Sequence, residues 1–151
     1  MSVVGRLEPN ALHADHELAA LLGQADGDGA VVSFVGLARP TSKSGRPVER
    51  LALDHHPVLT ARSLEDIAAA AAERFDVSHV RVVHRCGDIA PGEPIVFAGA
   101  ASPHRRAAFE AADYLMDRLK TEAVFWKREI GDRSEWIEPT EADHADRERW
   151  G

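Results

Sequence analysis

Two lysines bracket a mostly apolar run in Lys120–Glu129, K-T-E-A-V-F-W-K-R-E. An ammonium held beside buried apolar groups loses hydration. Its pKa falls, and it can then act as acid, base or nucleophile. Lysines at the edge of an apolar run are more often surface residues, so the question is whether Lys120 and Lys127 converge. Lys120 follows Leu119, the last residue of a helical stripe, where a cation suits the helix dipole on its own account. Phe125 and Trp126 read as anchors in a core or an interface. A turn after Lys120 followed by extended chain brings both amines to one cavity; the spacing alone leaves the surface reading open.

A second constellation begins at Ser102. Ser102 reads as a helix N-cap and Pro103 as the first helical residue. The positions that follow should favour Asp or Glu, yet they hold His104, Arg105 and Arg106. Three cationic groups at the positive end of a helix are mildly unfavourable unless an anion sits there. Free backbone N–H groups with Arg and His suit a phosphate or carboxylate; the plainer reading is that these side chains reach into solvent. Arg39 stands where an apolar strand meets a polar loop, a common place for a binding residue, although a lone Arg is usually a solvated charge. Other candidates carry less. His13, His16, His55 and His56 lack zinc-like ligand spacing, so no metal is expected. Cys86 reads as a core thiol. Ser33, Ser63 and Ser102 lack a G-x-S-x-G context, and Asp54, Glu110 and Asp113 form no evident carboxylate pair.

The elements that must position these residues follow from periodicity. Strands are expected over 3–7, 30–37, 48–55, 79–86 and 95–101, with a last one near 136–138. In 79–86, Val80, Val82 and His84 fall on one face and Arg81, Val83 and Arg85 on the other. Three main helices are expected over 15–22, 60–75 and 103–119. Pro40–Pro47 reads as a mobile loop. Strands paired by turns with three helices give an α+β fold with a mixed or antiparallel sheet. A doubly wound nucleotide fold is disfavoured, since there is no G-x-G-x-x-G. Residues 1–139 read as one domain, and 140–151 as a charged C-terminal tail, mobile or ordered by a partner.

Composition narrows the classes of function. Apolar residues make up 44% and charged residues 28% of the 151, as in an ordinary globular domain. The net charge of −7 argues against nucleic-acid binding. Its local basic clusters suit a small anionic ligand instead. No apolar run is long enough for a membrane span and no signal peptide is evident. A single cysteine fits a reducing cytoplasm.

Five segments in this order resemble the large, catalytic subunit of molybdopterin synthase: G-A-V-V-S-F-V-G-L-A-R (29–39), L-A-L-D-H-H-P (51–57), V-V-H-R-C-G-D-I-A-P-G-E (82–93), S-P-H-R-R-A-A-F-E-A (102–111) and L-K-T-E-A-V-F-W-K-R-E (119–129). The resemblance implies an α/β hammerhead fold and a homodimer within a 2+2 heterotetramer. The partner is a small ubiquitin-like carrier whose C-terminal Gly-Gly bears a thiocarboxylate. Sulfur from that carrier converts cyclic pyranopterin monophosphate (precursor Z) into the dithiolene of molybdopterin. No cofactor is implied.

By the same resemblance, Lys120 and Lys127 are catalytic, Lys120 for proton transfer and Lys127 to hold the carrier's terminus or an intermediate. Substrate contacts fall to Leu37, Ala38 and Arg39, to His104 and Arg105, and to Lys120, Lys127, Arg128 and Glu129. The sequence departs from the family pattern at Asp54, His56 and Leu59, and at Pro40 after Arg39. The chain ends Trp150-Gly151, so the carrier is expected to be a separate protein. The alternative is a non-enzymatic module that binds an anionic ligand or a ubiquitin-like tail.

Overall fold

Val80, Val82 and Val83, with Val96–Ala101, supply apolar side chains to both faces, so their segments form the interior strands of a covered sheet. The computed structural model describes residues 1–151 as eight strands and four helices. The first sheet runs β1 (Ser2–Glu8), β4 (His79–Arg85), β6 (Pro94–Ser102), β2 (Ala30–Leu37). β1 is parallel to β4 and the other pairs are antiparallel. The helices α2 (Leu59–Arg74) and α3 (Arg105–Glu122) cover one face, where Val80 and Val82 meet Leu64, Ile67 and Leu115. Full burial of each of those three large side chains contributes about 2 kcal/mol. The helix α1 (Ala14–Gln24) covers the other face, where Leu21 packs with Val83 and Phe97. The alternation expected in β4 is therefore the alternation observed. Gly5 is required by packing: a Cβ there would lie 2.4 Å from the Leu64 carbonyl oxygen.

The second sheet is antiparallel throughout, in the order β5 (Gly87–Ile89), β3 (Val48–His55), β7 (Phe125–Gly131), β8 (Ser134–Ile137). Leu51, Leu53 and Ile89 pack with Ala38 into a small core of its own. The fold is α+β, as expected.

Several local expectations need correction. α3 starts at Arg105, because Ser102 and Ala30 are still paired in the first sheet. The Ser102 hydroxyl donates to the Asp76 carbonyl and accepts from the His104 N–H, and His104 takes the N-cap position. The helix runs on to Glu122, so Lys120 lies within its last turn. Strand β5 had no signal in the sequence. The 40–47 loop, read as mobile, is tied down by a Thr41–Pro47 bridge. Ser44 Oγ donates to Glu135 at 2.8 Å and Arg46 pairs with Asp132 at 2.6 Å. The charged tail forms α4 (Glu141–Glu148), opened by a capping box between Thr140 and Asp143. Trp150 then packs edge-on to Phe75 and Tyr114, and its indole N–H donates to Asp117 at 2.7 Å. No helix is long and apolar enough to cross a membrane.

Candidate active site

The chain turns sharply where α3 ends. Ala123 is extended. The Val124 carbonyl accepts from Thr60 Oγ1 at 2.5 Å, and the Val124 N–H donates to Ser63 Oγ at 3.2 Å. β7 then runs back beside the helix end. Strand alternation puts Phe125, Lys127 and Glu129 on one face and Trp126 and Arg128 on the other. Lys120 and Lys127 consequently line one cleft of about 420 Å³, with Phe34, Leu37, Arg39, Lys43, Glu129, Thr140 and Asp143 among its walls. Its volume suits a small ligand. A recess of about 100 Å³ continues inward between the two lysines, lined by His84, Val96, Met116 and Leu119.

Burial is the main force on the Lys127 amine, and the neighbouring Lys120 charge adds to it. Together they lower its pKa to about 8, against a weaker upward pull from Asp143. Such an amine holds and releases a proton near neutrality. For Asp143, burial pushes the pKa up, but its two hydrogen bonds with Thr140, helped by Lys120 and Lys43, outweigh this and leave it lowered. Arg39 donates to Glu129 at 3.0 Å, which satisfies a carboxylate only 6% exposed. His84 is stacked on Phe125 with ring centroids 4.2 Å apart. Burial, with the Lys127 charge next, lowers its pKa to about 3. No cluster of three or more His, Cys, Asp and Glu side chains is arranged to hold a metal.

Of the residues anticipated from sequence, the cleft gathers Leu37, Arg39, Lys120, Lys127 and Glu129. It does not gather the other four. Ala38 is buried, and its N–H and carbonyl are engaged by Glu93 and Gly92 at 2.9 and 2.8 Å, so its backbone is not free for a ligand. Arg128 lies over the Trp136 ring at 5.1 Å, on the far side of the sheet. His104 and Arg105 are exposed at the opposite end of α3. From His104 to Lys120 the helix rises about 24 Å, too far for one small ligand to touch both within one chain.

The structure adds Phe34, Lys43, His84 and Asp143, which sequence reading did not assign. His84 left a trace there, as a histidine on the Val80–Val82 face. Asp143 left none, because its segment read as a tail.

A single α+β domain with a lysine pair, one member of low pKa, at a cleft of small-ligand size is the class that fold and site define. Residues 7–122 match the family model described as MoaE protein. The chain is 44% identical over 146 residues to the molybdopterin synthase catalytic subunit of Pseudomonas aeruginosa, covering 96% of this chain and 97% of that one. It is 50% identical over 123 residues to the Caulobacter vibrioides catalytic subunit, covering 81% and 80%. The solved molybdopterin biosynthesis MoaE protein from Burkholderia ambifaria superposes with a TM-score of 0.82 at 36% identity, covering 100% of this chain and 99% of that one. The chain belongs to the MoaE family.

Proposed function

We propose that this chain is the catalytic, sulfur-transferring subunit of a molybdopterin synthase. It receives the thiocarboxylate tail of a small ubiquitin-like carrier and acts on cyclic pyranopterin monophosphate, in the cytoplasm. The observation that carries the reading is the convergence of Lys120 and Lys127 on one cleft, with the Lys127 amine near pKa 8.

The chemistry balances with the two amines. The carrier's sulfur attacks an electrophilic carbon of the substrate side chain. A C–S bond forms and a C–O bond breaks, and the Lys120 ammonium gives the proton that lets the oxygen leave as water. Water then adds to the thioacyl carbonyl. The acyl C–S bond breaks, the carrier leaves as carboxylate, and Lys127 in its neutral form takes the proton released. In one of the two rounds the departing oxygen is that of the cyclic phosphate, which opens to a monoester instead of leaving as water, and the two C–S bonds together give the dithiolene. Arg39, held by Glu129, faces the anionic part of the ligand. His104 and Arg105 join this site only from a second copy of the chain, and the homodimer is the assembly that allows it.

The competing reading is a binding module without chemistry. A lysine held at low pKa favours the enzyme, since binding alone is served as well by an ordinary cation. The test is to mix the chain with thiocarboxylated carrier and precursor Z and assay dithiolene. Tight carrier binding without product supports the module. Lys120→Ala is expected to abolish turnover and leave the carrier complex intact; full turnover in that variant removes Lys120 from the mechanism.

A further inference from the structure

His84 is a buried side chain for which the proton-transfer scheme has no use. Its Nδ1 lies 2.8 Å from the Arg85 carbonyl, an acceptor, so Nδ1 carries the hydrogen. The other nitrogen, Nε2, is left as an acceptor. It makes no hydrogen bond within the chain, and it is not sealed off, since His84 lines the recess between Lys120 and Lys127. The stack on Phe125 fixes the ring plane. Burial and the adjacent Lys127 charge hold the ring neutral at any physiological pH. The other polar side chains of the recess, the two lysines, are donors, and the rest of its lining is apolar or backbone. The recess thus offers one fixed acceptor in its lining, beside two cations, and asks for a ligand with an N–H edge and a negative charge.

We propose that His84 Nε2 accepts a hydrogen bond from a ring N–H of the pterin and so sets which edge of the substrate enters the recess. This rests on the function proposed above. A phosphate alone brings no such donor. An amide N–H of the carrier's Gly-Gly tail would, so the two sources must be separated by experiment. His84 is a positioning and specificity residue here, because neither sulfur transfer nor proton transfer passes through it.

The experiment measures binding of precursor Z to the chain in complex with unthiolated carrier, and carrier affinity in parallel. Three proteins are compared: wild type, His84→Phe and His84→Gln. Phe keeps the stack on Phe125 and removes the acceptor; Gln restores an acceptor near the Nε2 position. Loss of one neutral hydrogen bond corresponds to a fall of about tenfold in pterin affinity. That fall is expected for Phe, with most of it recovered by Gln and carrier affinity unchanged. Equal affinity in all three proteins overturns the proposal, as does an equal loss in Phe and Gln. A loss confined to carrier affinity assigns the acceptor to the tail and overturns it too. In wild-type protein carrying ¹⁵N-labelled histidine, the Nε2 resonance of His84 is expected to move upfield when precursor Z is added. An unmoved resonance refutes the contact whether or not the variants fold. Wild type that turns over while Phe binds normally leaves the enzyme reading standing and this one fallen; wild type that binds no pterin ends both.

Discussion

Lys127→Met separates the folding role of this side chain from its functional one. Lowering an amine from its ordinary 10.5 to about 8 means that the folded protein holds the charged form poorly. Below pH 8 the amine is protonated both folded and unfolded, and the full penalty applies, about 3 kcal/mol. As the pH rises through 8 the folded protein releases the proton while the unfolded chain keeps it, and the penalty shrinks. By pH 9.5 it is roughly 1 kcal/mol, and above 10.5 it is gone. Met has a similar length and no charge, so the variant should be more stable than wild type by about 3 kcal/mol at pH 7, with an advantage smaller by about 2 kcal/mol at pH 9.5. Any packing gain from the thioether is the same at both pH values and cancels in the difference. The assay is urea unfolding of both proteins at the two pH values, with turnover measured alongside. Turnover should be lost as stability rises, the trade expected where a site is held in a strained electrostatic state. A stability difference independent of pH would refute the claim that the Lys127 ammonium is held against its preference.

Lys120→Met removes the second cause of the Lys127 shift. The Lys127 pKa should rise above 8 yet stay below 10.5, because burial is the larger cause; an unchanged value in an NMR titration of the methylated lysine would mean that the amines are not neighbours. If His104 and Arg105 act on the partner's cleft, mixing inactive Lys120→Ala with inactive Arg105→Ala and reassorting the subunits should restore about a quarter of wild-type sites. A site complete within one chain would restore none. Arg39→Ala strands the Glu129 carboxylate, which is 6% exposed, and should destabilise by about 2 kcal/mol by urea midpoint. Adding Glu129→Gln should recover most of that stability without recovering turnover, because Arg39 itself lines the cleft.

Regular elements with strong periodicity were legible in the sequence. The alternation of Val80, Val82 and His84 against Arg81, Val83 and Arg85 divided β4 into its two faces, and the structure shows that α2 and α3 cover the first and α1 the second. Failures came where a long-range contact overrides a local signal. Ser102 and Pro103 look like a helix start, but pairing with Ala30 holds Ser102 in the sheet and delays α3 to Arg105. The 40–47 loop has a flexible composition, and what fixes it is the distant Glu135 and Asp132. The tail has a high charge density, yet Trp150 finds an aromatic slot between α2 and α3 that no local pattern announces. The candidate site divides in the same way. Residues on one contiguous hairpin, Lys120, Lys127 and Glu129, were recognisable together. His104 and Arg105 were grouped with them by pattern, and the length of α3 separates them.

The seven-residue interval between the lysines has a geometric reason. Lys120 must sit in the last turn of α3 to face the sheet, and the helix must stop at Glu122 so that the chain can reverse through Ala123 and Val124. From there β7 alternates strictly. Phe125 points inward to stack on His84, so Lys127 and Glu129 point inward as well, while Trp126 and Arg128 point away. A shift of one residue in this reversal would turn Lys127 out of the cleft and bring Arg128 in. The register is held from outside the hairpin by Thr60 and Ser63 on α2, whose hydroxyls engage both backbone groups of Val124. α2 makes no other contribution to the cleft, and its place in the fold follows from packing on β1 over Gly5. The parity of β7 is thus fixed twice, by its ladder to β3, which sets Phe125 opposite His55 and Lys127 opposite Leu53, and by the α2 hydroxyls that hold Val124; that parity decides which cation faces the cleft.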